Sequence, residues 1–88
     1  MLHSSSNSPQ PRVIGVVERL LAERSITGPI HPQDDLRDAG LTSLDMVSLV
    51  LAVEAEFDLL IPEPSISPAN FRSVDAITSL VADLQRNR

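Results

Sequence analysis

From residue 11 onward, apolar and charged positions alternate in steps of three and four. Val13, Ile14, Val17, Leu20 and Leu21 recur on that spacing, with Arg12, Glu18, Arg19 and Glu23 between them. This is the period of a helix with one face turned inward, and it predicts a helix over residues 11–24. Pro11 fits the first turn, where no backbone donor is needed, and Thr27-Gly28-Pro29 reads as the stop. The connection that follows, residues 26–41, is too long for a tight turn between helices. Loops of that length in small domains are usually functional or disordered. Ile30, Leu36 and Leu41 punctuate it, so it is expected to lie against the core.

The clearest element is 43–57, a run without glycine or proline. Thr42 before it is a good N-cap, and Asp45 three residues later makes a near relative of the capping box, with Asp in place of Glu. Asp45 also sets negative charge at the positive end of the helix dipole. At 100° per residue, Met46, Leu49, Val50, Val53 and Phe57 gather into one broad face, the expected core. Leu44, Val47 and Leu51 form a second stripe, on the side where Ser48 and Ala55 also point. A helix with this much apolar surface must bury a second face or offer it to a partner. Further on, Ser67-Pro68 reads as an N-cap with proline at N1, opening a short helical turn through Phe71. Ser73 caps a last helix, in which Val74, Ile77, Leu80, Val81 and Leu84 repeat at helical spacing. The expected fold is all-α, with three main helices, one short helix and a long first loop.

Composition narrows the picture. Eighty-eight residues, 42% of them apolar, make one small domain with a modest core and no room for a deep, walled enzyme site. Phe57 and Phe71 are the only aromatic residues. A core of Leu, Val, Ile and Ala suits packed helices better than a sandwich of sheets. The absence of cysteine rules out a disulfide framework and a thiolate metal site. His3 and His31 lie far apart in polar, proline-flanked surroundings, so no metal site is expected. The formal net charge is −5 and all seven basic residues are arginine, a balance that argues against nucleic acid as the main partner. Residues 1–10, rich in Ser and Pro, read as a disordered tail before a domain of residues 11–86. The tail lacks the basic head and apolar run of a secretory signal, and no apolar stretch approaches the roughly 20 residues of a membrane span. The cytoplasm is the expected compartment, with no membrane partner.

Ser43 is the residue with chemistry to explain. A nucleophilic serine needs a base within hydrogen-bond reach, itself oriented by a third group. Neither histidine is placed to serve, and G-x-S-x-G is absent. Metal clusters and glycine-rich phosphate loops are also missing, so no catalysis is expected of this chain. Two readings remain from the residues alone. Ser43 is either an N1 serine making local hydrogen bonds, as many are, or a modified residue.

The run D-L-R-D-A-G-L-T-S-L-D-M-V-S-L-V-L-A-V-E-A-E-F-D-L-L-I-P, residues 35–62, resembles the acyl and peptidyl carrier protein family. In that family an acidic-L-x-x-x-G-[apolar]-D-S-L segment leads into a helix that ends in E-x-x-F and then I-P. Leu36, Gly40, Leu41, Ser43, Leu44, Val47, Glu54, Phe57, Ile61 and Pro62 fall on matching positions. Asn70-Phe71-Arg72-Ser73-Val74 with Ile77 resembles the family's final segment. The resemblance implies a four-helix bundle of acyl-carrier-protein type and a 4′-phosphopantetheine arm on Ser43, with Thr42 and Leu44 beside it. It implies a stand-alone, monomeric carrier that holds an acyl or aminoacyl group as a thioester, the thiol coming from the arm. The implied partners are a phosphopantetheinyl transferase, an acyl- or aminoacyl-loading ligase, and a downstream acyltransferase or condensing enzyme. Leu44, Val47, Ser48, Leu51 and Glu54 are the expected docking residues.

This chain departs from the family pattern at Thr42, where Asp is commoner, and at Ser48 and Ala55, where Glu is commoner. The docking face is therefore more apolar than in carriers of fatty-acid synthesis, and the sequence looks more like stand-alone carriers of specialised pathways, aminoacyl carriers included. The competing reading, which Thr42 keeps open, is an unmodified helical interaction module with a carrier-like fold.

Overall fold

In the computed structural model, which describes residues 8–86, the chain's apolar period is built into a first helix, α1 (Gln10–Glu23). The Pro9 carbonyl accepts from the N–H groups of Arg12 and Val13 at 3.1 and 3.0 Å, and Ser8 Oγ accepts from Gln10 N–H at 3.2 Å. Pro9 is buried, so the folded unit begins before residue 11. The remainder of the expected tail, residues 1–7, lies outside the described residues. The helix ends at Glu23 with Arg24 as its C-cap, within one residue of the expected end at 24, and the closure is made before Thr27-Gly28-Pro29. Ser25 adopts a left-handed φ of 62°, its N–H bonds the Ala22 carbonyl, and Ile26 N–H bonds the Leu21 carbonyl, both at 2.9 Å. This is a Schellman closure, made with serine where glycine is usual.

The long connection contains a short helix that the sequence did not predict, α2 (Leu36–Ala39). Asp35 caps it, accepting from Arg37 N–H at 2.8 Å and Asp38 N–H at 3.3 Å. Gly40 ends it at φ 125°, and a Cβ there would fall 2.4 Å from Ile26 Cδ1. The left-handed dihedral demands glycine, and a side chain there would also displace the end of Ile26. Ile30, Leu36 and Leu41 are buried as expected. Two backbone bonds tie the loop to residues 72–75: Leu36 N–H to the Arg72 carbonyl at 2.8 Å, and Asp75 N–H to the Pro32 carbonyl at 2.9 Å.

Helices α3 (Ser43–Phe57) and α4 (Val74–Arg86) complete the bundle, and α1 packs against both. The core joins Val13, Val16, Val17 and Leu21 of α1 to Leu49, Val50, Val53 and Phe57 of α3 and to Val74, Ile77, Leu80 and Val81 of α4. Met46, placed in the core by the helical wheel, is only partly buried, at the edge of that face. The residues read as a fourth, short helix over 67–71 form a hydrogen-bonded turn instead. Asn70 N–H donates to Ser67 at its carbonyl (3.2 Å) and its Oγ (3.3 Å), and Phe71 N–H reaches the Pro68 carbonyl at 3.3 Å. A 3-10 turn, Glu63–Ser65, precedes it. Ser73 Oγ accepts from Ala76 N–H at 3.1 Å, so its capping role holds. Among the described residues the fold is all-α, a small four-helix bundle, and no helix is long and apolar enough to cross a membrane.

Candidate functional site

The first turn of α3 divides its work among three side chains. Thr42 Oγ1 accepts from Asp45 N–H at 3.4 Å and donates to Asp45 Oδ2 at 3.0 Å, while Asp45 Oδ2 also receives Thr42 N–H at 2.7 Å. The capping box is complete with threonine and aspartate. Arg24, just past the end of α1, reaches across to Asp45 Oδ2 at 2.7 Å. The Thr42 N–H, and after it the Arg24 guanidinium, hold the Asp45 carboxyl below its ordinary value. Asp45 is thus a fold-joining acid that ties the end of α1 to the start of α3.

Ser43 takes no part in this. It is exposed, and among the described residues its hydroxyl enters none of the side-chain hydrogen bonds around the cap. The reading of Ser43 as a local hydrogen-bonding residue loses its basis, because Thr42 and Asp45 make the local bonds.

Two different surfaces flank Ser43. On one side is a cavity of about 480 Å³, walled by Met46 and Val50 of α3 and by Ile66 and Phe71 across from them. On the other is the apolar stripe, with Leu44 81%, Val47 61% and Leu51 60% exposed. The stripe therefore does not pack under the first loop. Ser48 is exposed beside it. Glu54, expected on the docking face, is turned to other use: it is partly buried, and its Oε2 accepts from Ile61 N–H at 2.8 Å. Its own backbone carbonyl takes Leu59 N–H at 3.1 Å. Glu54 serves the fold by fastening the segment after α3.

An exposed serine at a helix start, free of capping duty, is open to modification, and comparisons with known proteins bear on this region. The family model described as the phosphopantetheine attachment site matches residues 11–81. The chain belongs to that family. It is similar to aminoacyl carrier protein 2 of Bradyrhizobium diazoefficiens, 44% identical over 80 residues that cover 91% of this chain and 90% of the relative. Its fold is similar to that of a chain in the crystal structure of Bradyrhizobium japonicum glycine:[carrier protein] ligase complexed with its cognate carrier protein and an analogue of glycyl adenylate. The TM-score is 0.72 at 43% identity, covering 84% of this chain and 96% of that chain. The same ligase complexed with glycylated carrier protein matches with a TM-score of 0.69 at 44% identity, covering 81% and 96%.

This carrier protein depends on 4′-phosphopantetheine, holds an acyl or aminoacyl group as a thioester, and presents it to partner enzymes. Members of its family are substrates of other enzymes, not catalysts. The residues around Ser43 fit the arm. The hydroxyl is exposed and uncommitted, and the cavity beside it, with apolar walls at Met46, Val50, Ile66 and Phe71 and charged residues at its lining, is roomy enough to receive part of a flexible chain.

Proposed function

We propose that Ser43 is the attachment point of the arm, and that this carrier takes an amino acid from an adenylate-forming ligase. The observation that carries the assignment is the division of labour at the start of α3. Thr42 and Asp45 complete the cap between them, which leaves the Ser43 hydroxyl exposed for modification. A phosphate on it meets the unpaired backbone donors and positive dipole end of α3. Thr42, where the family more often has Asp, still caps the helix, so the departure leaves the geometry of the anchor intact. The arm, when bound, supplies the terminal thiol that a chain without cysteine lacks.

The amino acid cargo is inferred from the similarity to carriers complexed with a glycine ligase, and the exposed stripe of Leu44, Val47 and Leu51, with Ser48 beside it, is the docking face offered to such a ligase. Surplus apolar surface on a small domain marks a binding site, and a helix read at steps of three and four suits a groove. The remaining partners are a phosphopantetheinyl transferase and a downstream acyltransferase or condensing enzyme, met in the cytoplasm by a monomer.

The test is Ser43→Ala. Incubated with coenzyme A and a broad-specificity transferase, wild type gains the mass of the arm and the variant does not, while circular dichroism shows the same helix content in both. A variant that is still modified, or a wild type that stays at its original mass, removes Ser43 from the role.

A further inference from the structure

Six arginines lie within the described residues. Arg12, Arg24 and Arg86 pair with Glu56, Asp45 and Asp83. Of the remaining three, Arg19 belongs to α1, while Arg37 and Arg72 line one and the same cavity, the one to which Ser43 contributes. They come from segments 35 residues apart in sequence, yet their backbones are locked together, because Leu36 N–H donates to the Arg72 carbonyl at 2.8 Å. Asp35 is the acid nearest to hand in that lining. Its Oδ1 is spent on the backbone N–H groups of Arg37 and Asp38, and it makes no ion pair with either guanidinium. A chain of net charge −5 therefore holds, among the described residues, two arginines without an ion pair at the cavity beside Ser43. Two guanidiniums against the single carboxylate of Asp35 leave the lining with an excess of positive charge, which suits an anion.

We propose that Arg37 and Arg72 are the counter-charges of the phosphodiester formed at Ser43, and that they turn the root of the arm toward the cavity and away from the Leu44, Val47, Leu51 stripe. The inference rests on Ser43 as the attachment point. A phosphodiester carries one negative charge at neutral pH and offers two free oxygens, and a guanidinium fork matches such a pair. The walls beyond it, Met46, Val50, Ile66 and Phe71, are apolar and suit the branched, methyl-bearing stretch that follows the phosphate. Both arginines are exposed, so each biases the arm by roughly two- to five-fold, the range of exposed ion pairs, and added salt weakens the bias. Arg37 and Arg72 are positioning residues: they act on where the arm starts, not on the chemistry at its far end.

Nuclear magnetic resonance on the holo-protein tests this without any loaded enzyme. Wild type, Arg37→Gln, Arg72→Gln and the double variant are pantetheinylated and checked by intact mass. In wild type the Nε–H signals of Arg37 and Arg72 should shift between the apo and holo forms. Nuclear Overhauser contacts from the arm's geminal methyls should appear at Met46 and Phe71. In the double variant those contacts should weaken several-fold and the phosphorus resonance should move, with the melt unchanged; Arg→Lys at both positions should restore part of the effect. A modified wild type whose arginine signals match the apo form, with one phosphorus shift across all variants, overturns the proposal while leaving Ser43 in place. So does a result in which the variants only raise KM for coenzyme A during transfer, since the arginines would then serve the donor's phosphates. An unmodified wild type, visible by mass alone, defeats the Ser43 reading itself and this inference with it.

Discussion

Placing a carboxylate on the stripe of α3 is the sharpest perturbation of the proposed docking face. Val47 and Leu51 are each about six-tenths exposed, one turn apart, with Leu44 a turn before them. Fully burying a Val or Leu side chain contributes about 1.5–3 kcal/mol, so covering the exposed part of either contributes roughly 1–2 kcal/mol. Losing that share weakens association by about 5- to 30-fold. Aspartate adds an unpaired charge that a partner groove must desolvate, so Val47→Asp and Leu51→Asp should each cost more than about tenfold in kcat/KM for loading. The fold should not notice, because surface substitutions usually stay within about 0.5 kcal/mol. The assay follows aminoacylation of holo-protein by mass as carrier concentration is varied, at low and high salt, with a thermal melt of each variant. Because the face carries Ser48 and lacks a free acid, with Glu54 occupied by Ile61 N–H, salt should change wild-type loading only slightly. Wild-type kcat/KM in both variants, or loading that falls steeply with salt, would show that charge elsewhere on the surface selects the ligase.

Two predictions concern the bundle that presents the site. Phe57 is buried and carries the Arg12 guanidinium 4.5 Å from its ring centroid; Phe57→Ala should cost about 3–5 kcal/mol, a large share of the roughly 4–13 kcal/mol available to a domain of this length, and a urea melt within about 1 kcal/mol of wild type would refute the packing. Asp45 has its pKa lowered by Thr42 N–H and Arg24, so its contribution is present above the unfolded value of about 3.9 and is lost as pH falls through the lower folded value. Asp45→Asn should therefore be less stable than wild type near neutral pH, with the gap closing below about pH 4; a gap independent of pH would remove the ion pair from the account.

What the sequence disclosed and what it withheld divide along one physical line. Ile30, Leu36 and Leu41 marked the long loop as core-bound because isolated apolar residues in a polar stretch need a place to be buried. The stripe was legible because the wheel of 43–57 left Leu44, Val47 and Leu51 over after the core was filled. Helix α2 was missed because four residues are too few to show a period, although Asp35 and Gly40 stood at its two ends as cap and stop. The end of α1 was placed to within a residue, but its closing residue was missed: Gly28 is the more usual left-handed residue, whereas Ser25 makes the closure. Glu54 read as a docking acid since nothing local announces a bond to Ile61 seven residues on. The cavity was beyond reach for the same reason: Arg37 and Arg72 meet only through the bundle.

The two surfaces beside Ser43 follow from one helix read in two registers. Ser43, Met46 and Val50 stand at i, i+3 and i+7, and all three line the cavity. Leu44, Val47 and Leu51 repeat the same spacing one residue later and face outward. One residue along an α-helix is a turn of about 100°, so the proposed anchor belongs to the cavity register and the proposed docking contacts to the next. A ligase that grips the stripe therefore approaches from a direction that leaves the root of the arm uncovered. Burying the stripe does not compete with seating the arm, and a partner can hold the carrier by one face of α3 while the cargo leaves from the other.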